Sequence, residues 1–371
     1  MSELSGNVKQ LCGYLNQVFP GGALFLVTTE AELKRLLMEL TGDLLQSDEC
    51  RHVSATRIIG LNSFPDREDS VWVFSPEVII ASDGAVLIDE DSPVLWLERP
   101  LGFTNALISD SLSCSITTPL DQGEALLDLC QAIQAFMPEN FIPAVAVMAC
   151  SIMGASYKHV IAKSGSMGVP FLFGEPGTCK SEALKCGLAL FGAQKTHLYN
   201  NQTTPSFLFD MLKRTTIPIG VDDISDRAQD TWEELVIDTY NNTPRGTRSY
   251  SAEAFQSTPI LTANWRFNPN RQRAHTRCVT IPFFEHADEP EATRLYEALS
   301  KARTHVSKSV SRVIEICFNF TTEAVQRKQA TEIFPQVSQI LCGSHVRFKT
   351  TCTVFMYFFL EVCYEYQQSI Y

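Results

Sequence analysis

Lys180 and Ser181 close the segment Gly174-Glu175-Pro176-Gly177-Thr178-Cys179, which directly follows the apolar run Val169–Phe173. A strand end, a glycine-containing loop and a helix start form the setting that a phosphate cradle requires. Loop N–H groups wrap a β-phosphate, and the dipole of the following helix adds partial positive charge. In such a cradle Lys180 bridges the β- and γ-phosphates and the Ser181 hydroxyl ligates Mg²⁺. All eight residues from Gly174 to Ser181 are therefore expected to hold a nucleotide, with ATP and Mg²⁺ as the cofactors. The usual residue before the lysine is glycine. Cys179 stands there instead, and a side chain at that point crowds the phosphates or disfavours the loop backbone.

Two later motifs fit the same chemistry. Ile217–Val221 is an apolar run that ends in Asp222 and Asp223, so a strand of the same sheet would deliver two carboxylates to the metal. Asp222 would hold Mg²⁺ through water, and Asp223 would orient and polarise the attacking water. Pro259–Ala263 is a further apolar run that ends in Asn264, whose amide could bond the γ-phosphate or that water. Alone, each motif is also open to a plain reading, a solvated turn for the aspartates and a strand cap for the asparagine. Their order along the chain after the loop favours one site.

The series Gly-Glu-Pro-Gly-Thr-Cys-Lys-Ser, Val-Asp-Asp and Pro-Ile-Leu-Thr-Ala-Asn resembles the superfamily three helicases and the wider AAA+ ATPases, and its order is similar to that of the papillomavirus helicase. The resemblance covers Val169 to Phe284, with Gly174 to Asn264 spanning about ninety residues. It implies a homo-oligomeric ring such as a hexamer, acting on single-stranded nucleic acid. It also implies that Arg245 and Arg248, between the aspartates and Asn264, face nucleic acid in the pore. Arg273 and Arg277 lie where such ATPases present an arginine finger to a neighbour's nucleotide. Catalytic roles are thus expected for Lys180, Asp222, Asp223, Asn264, Arg273 and Arg277, with Ser181 and Asp222 toward the metal. A nucleotide-switched scaffold or protein remodeller stays open beside the motor, because Cys179 departs from the pattern.

The elements that must position these residues alternate between apolar runs and helix-like segments. They predict an α/β fold with a three-layer phosphate-loop core over 166–285. Residues 1–120 read as an N-terminal α+β module, with an amphipathic helix at Glu30–Leu45 and a hairpin turning at Asp83-Gly84. Residues 121–165 read as a helical lead-in broken around Pro138–Pro143, and 286–371 as a helical C-terminal region. Composition is globular, 45% hydrophobic and 19% charged, which excludes global disorder.

The formal net charge of −12 repels polyanions overall, yet Asn241 to Phe284 carries six arginines against the single acid Glu253. Twelve cysteines without a CxxC pair, several of them inside apolar runs, read as buried free thiols of an intracellular protein of nucleus or cytoplasm. The longest apolar run, Ile142–Ala155, is too short for a bilayer and reads as a buried helix, so no membrane is expected as a partner.

Overall fold

The structure, a computed structural model, describes residues 54–56, 58–64, 70–75, 78–82, 84–87, 94–96, 112–243, 254–267, 272–285 and 291–368. The helix expected over Glu30–Leu45 lies outside the described residues, as do Arg245 and Arg248. The chain divides into two compact units, Met1–Arg57 with Asp91–Ser111, and Ile58–Glu90 with Leu112–Tyr371. In the first unit β1 (Ser54–Thr56) and β6 (Val94–Trp96) pair in parallel.

The second unit begins with a four-stranded antiparallel sheet, β2 (Gly60–Asn62), β3 (Val71–Ser75), β4 (Val78–Ala81) and β5 (Val86–Leu87), in that spatial order. The chain turns between β4 and β5 at Gly84, whose φ of 84° suits glycine. This is the hairpin read from Asp83-Gly84. The sheet is joined to the rest of its unit by backbone pairing of Ile59 with Thr215 and by a bond from Leu61 N–H to Thr216 Oγ1 at 2.8 Å. The Trp72 ring also stacks on Phe191 with centroids 6.5 Å apart. Residues 58–90 thus share a compact unit with the core, and the stretch read as one module of residues 1–120 is divided between two units.

Helix α1 (Glu124–Phe136) stops at Met137, a 3-10 turn occupies Pro138–Asn140, and α2 (Phe141–Ala155) and α3 (Tyr157–Ser164) follow. The break therefore falls where the prolines suggested. Every residue of α2 from Pro143 to Ala155 is buried, which accounts for its apolarity. Over Pro138–Ala155 it is apolar enough to pass as a membrane span, but 72% of that window is buried within the protein.

The core is a five-stranded, all-parallel sheet made of β7 (Val169–Phe173), β8 (Leu198–Asn200), β9 (Ile219–Asp222), β10 (Pro259–Ala263) and β11 (Cys278–Pro282). Its spatial order is β11-β7-β10-β9-β8. β7 and β10 are buried along their whole length, as expected of central parallel strands, which read as continuous apolar runs. Burying side chains such as Phe171 and Leu172 contributes about 2–3 kcal/mol each. α4 (Lys180–Ala189) follows β7, and its Leu184 and Leu188 lie against Gly220 of β9. α5 (Pro205–Leu212), α6 (Gln229–Asn241) and the one-turn α7 (Gln272–His275) join the later strands.

The C-terminal part contains helices α8 (Ala292–His305), α9 (Val310–Asn319), α10 (Glu323–Lys328), α11 (Phe334–Ile340) and α12 (Val346–Gln368). Of the residues whose spacing gives its apolar periodicity, Leu299, Val306, Val310, Val313 and Ile316 are buried, while Leu295 is half-buried.

Candidate functional site

The loop from Gly174 to Cys179 leaves the carboxyl end of β7 and enters α4. Two of its residues have left-handed backbone, Gly177 at φ 80° and Cys179 at φ 64°. Glycine adopts that region freely, whereas an ordinary side chain pays roughly 1–2 kcal/mol. Cys179 also stands at the cap position just before α4, and no side-chain hydrogen bond caps this terminus. The leading N–H groups of a helix have no intrahelical acceptors, so this end suits an anion. Gly174 is required for space, because a Cβ there would lie 2.5 Å from the Phe283 carbonyl oxygen.

The Lys180 ammonium lies inside the loop and is almost buried. It donates to the carbonyl oxygens of Gly174 at 2.8 Å and Glu175 at 2.7 Å, and to Thr178 Oγ1 at 3.0 Å. Burial lowers its pKa below the ordinary lysine value, and the negative charges of Asp223, Asp222 and Glu175 partly offset that. Burial also raises the Cys179 thiol, with Glu182 adding to the effect and Lys180 opposing it. The thiol therefore stays protonated near neutral pH and adds no negative charge to the loop.

Parallel register brings the acids to the same edge of the sheet. Asp222 ends β9, and its Oδ1 accepts hydrogen bonds from Ser181 Oγ at 2.8 Å and Thr262 Oγ1 at 2.6 Å. Thr262 Oγ1 in turn accepts from the Asp223 N–H at 2.8 Å. Asn264 Nδ2 donates to Asp223 Oδ1 at 2.9 Å, so β9 and β10 are tied side chain to side chain at their ends. Asp223 has φ 54°, a conformation that aspartate tolerates better than most residues. Two strained non-glycine positions thus occur at this one edge, the pattern expected where strain serves function. The residues singled out from sequence, Lys180, Ser181, Asp222, Asp223 and Asn264, meet here.

Other residues join them without having been read from the sequence. Thr262 bridges the two aspartates from inside an apolar run, where a threonine looks like a β-former and nothing more. Asn140, fully buried in the turn before α2, donates to the carbonyl oxygens of Thr178 at 3.3 Å and Phe284 at 2.9 Å, and accepts from Phe284 N–H at 2.8 Å. It clamps the loop to the chain leaving β11. Asn200 of β8 pairs in register with Asp222, and the two line an open cavity of about 330 Å³ with Leu198, Tyr199 and Thr203. Glu182, two residues beyond Lys180, pairs with Arg303 of α8 at 2.5 Å and with Lys185 at 2.6 Å. Burial pushes its carboxyl up, but these two partners outweigh burial and hold it below the usual range.

Arg273 and Arg277 are placed elsewhere within the chain. Arg277 lies at the start of β11, where its carbonyl oxygen accepts from Val169 N–H at 2.9 Å. That is the amino end of β7, a strand length of roughly 16 Å from the loop. Neither arginine meets the loop of its own chain.

No protein-family description matches the sequence, and no curated protein does. Among solved structures the chain is similar to an active helicase, Cch of SCCmec type IV, with a TM-score of 0.60 and 16% identity. That match covers 91% of this chain and 60% of the helicase, so the chain spans less than two thirds of its length. The similarity is one of fold alone, and it includes the parallel sheet. The NrS-1 C-terminal region aligns over 91% of this chain and 82% of its own with 11% identity and a TM-score of 0.32, which is too low to support a reading.

Proposed function

We propose that this chain binds ATP with Mg²⁺ and hydrolyses it as a helicase-type or AAA+ motor with a three-layer core, working on single-stranded nucleic acid inside the cell, in nucleus or cytoplasm. The observation that carries the reading is the convergence at one sheet edge of Lys180 on its loop carbonyls with Ser181 and Thr262 on the Asp222 carboxylate. Ser181 Oγ and Asp222 Oδ1, hydrogen-bonded to each other, are the two protein oxygens that would hold a magnesium ion here, the hydroxyl directly and the carboxylate through water. Two protein oxygens, a buried cation and an uncapped helix start fit Mg-ATP.

In this reading Lys180 moves from the loop carbonyls to the phosphates, a short shift for a flexible side chain. The backbone N–H groups of the Gly174–Cys179 loop, Pro176 apart, hold the phosphates, and Ser181 and Asp222 hold the metal. Asp223 accepts a proton from the attacking water, and Asn264 fixes the carboxylate that does so. A homo-oligomeric ring, a hexamer by resemblance, would bring Arg273 and Arg277 to a neighbour's nucleotide, and Arg245 and Arg248 would contact the strand.

The strained Cys179 supports a second reading, a nucleotide-switched scaffold that binds ATP with little turnover. ATP hydrolysis with and without single-stranded DNA and RNA separates the two, with Lys180→Ala as the control for contaminating activity. Hydrolysis that rises with nucleic acid and disappears in the variant is the expected result. Binding without turnover, or turnover indifferent to nucleic acid, selects the scaffold.

A further inference from the structure

On the edge of the sheet away from the loop lies an open pocket of about 360 Å³, lined by Tyr240, Arg273, Thr276, Arg277, His345, Arg347 and Phe348. Its lining holds three guanidinium groups and an imidazole and no acid, on a chain whose formal net charge is −12. That contrast marks a locally cationic patch.

The pocket is built by three elements. Tyr240 comes from the end of α6, Arg273 and Arg277 flank the end of α7, His345 directly precedes α12, and Arg347 and Phe348 lie in its first turn. Arg277 is held in place. Its Nη1 donates to the Arg273 carbonyl oxygen at 2.7 Å, its guanidinium lies 5.3 Å from the centroid of the buried Tyr240 ring, and its Nε is buried with no hydrogen-bond partner. Held in this way, Arg277 lines the pocket with a guanidinium, a group whose remaining donors suit phosphate oxygens. Arg273 and Arg347 are exposed beside it, while Phe348 is half-buried.

We infer that this pocket binds the backbone of single-stranded nucleic acid, one phosphodiester lying among Arg273, Arg277 and Arg347 with an adjoining base against Phe348. Guanidinium groups suit phosphate because their planar donors match its oxygens in pairs. An aromatic face beside them accepts any base, which gives affinity without sequence choice. The inference rests on the nucleic-acid half of the proposed function and is independent of the phosphate loop. A neighbouring subunit's nucleotide is the competing ligand for Arg273 and Arg277. Arg347 has no part in that assignment, so it separates the two.

The test is fluorescence anisotropy of a labelled oligo-dT with the full chain, run over a range of salt, beside binding of a fluorescent ATP analogue. Arg347→Ala weakens oligonucleotide binding at least ten-fold and lowers the slope of log affinity against log salt by about 0.7, the value of one lost phosphate contact on a single strand. Arg347→Lys keeps most of that slope, and the ATP analogue binds all three proteins within two-fold. If wild type and Arg347→Ala bind oligo-dT with equal affinity and slope, the pocket is wrong and the motor reading stands. If wild type binds the ATP analogue but no oligonucleotide, the pocket and the nucleic-acid half of the function fall together.

Discussion

Cys179 is where the loop departs from its pattern, and its cost is now physical. The backbone is left-handed at φ 64°, and glycine, which that position calls for, is replaced by a residue that pays roughly 1–2 kcal/mol to be there. Asp223, at φ 54° across the site, has a carboxylate that its own side of the sheet fixes through Asn264. Cys179 has no side-chain hydrogen bond at the helix start in return. Because it removes the side chain that crowds the phosphates, Cys179→Gly should tighten Mg-ATP binding several-fold. Stability should change by less than about 1 kcal/mol, because the entropy glycine adds to the unfolded chain offsets the relieved strain. Titration of Mg-ATP into both proteins checks this, and equal or weaker binding by the variant would show that the cysteine is accommodated without cost.

At the scale of elements, the core strands were legible because buried parallel strands carry apolar residues on both faces. Val169–Phe173 and Pro259–Ala263 begin and end as read. β8 was not legible, since it has three residues, Leu198, Tyr199 and Asn200, none of them fully buried. No short polar run of that kind stands out from a loop. The spatial order β11-β7-β10-β9-β8 is equally absent from the sequence, and with it the contact of Thr262 with Asp222, which needs β10 to sit beside β9. Asn140 was missed for the same reason, its partners lying 38 and 144 residues away.

The segment entering β8 carries a testable consequence. His197 is fully buried, its ring nitrogens near Thr196 Oγ1 at 3.1 Å and Thr215 Oγ1 at 3.4 Å, and burial holds its pKa down at about 3. The unfolded chain protonates this histidine near its ordinary value of about 6.5, so the contribution to stability is complete above that pH. It is lost as pH falls from there toward 3, at up to about 1.4 kcal/mol per pH unit. Urea midpoints measured from pH 7 to 5 should fall more steeply for wild type than for His197→Gln, and parallel slopes would contradict the assignment.

At the scale of the whole molecule, the site belongs to a unit that includes the small antiparallel sheet, the parallel sheet and the C-terminal helices. The Glu182–Arg303 pair joins α4, which begins at Lys180, to α8 of the C-terminal part, and both side chains are largely buried. Breaking a largely buried pair is expensive because one charge is left without its partner. The central claim is that this loop holds a nucleotide. Calorimetric titration of Mg-ATP into the full chain tests it most directly, with Lys180→Ala alongside. The account predicts saturable binding by wild type and at least a ten-fold loss in the variant, while no heat of binding in wild type, or equal affinity in both, would contradict it.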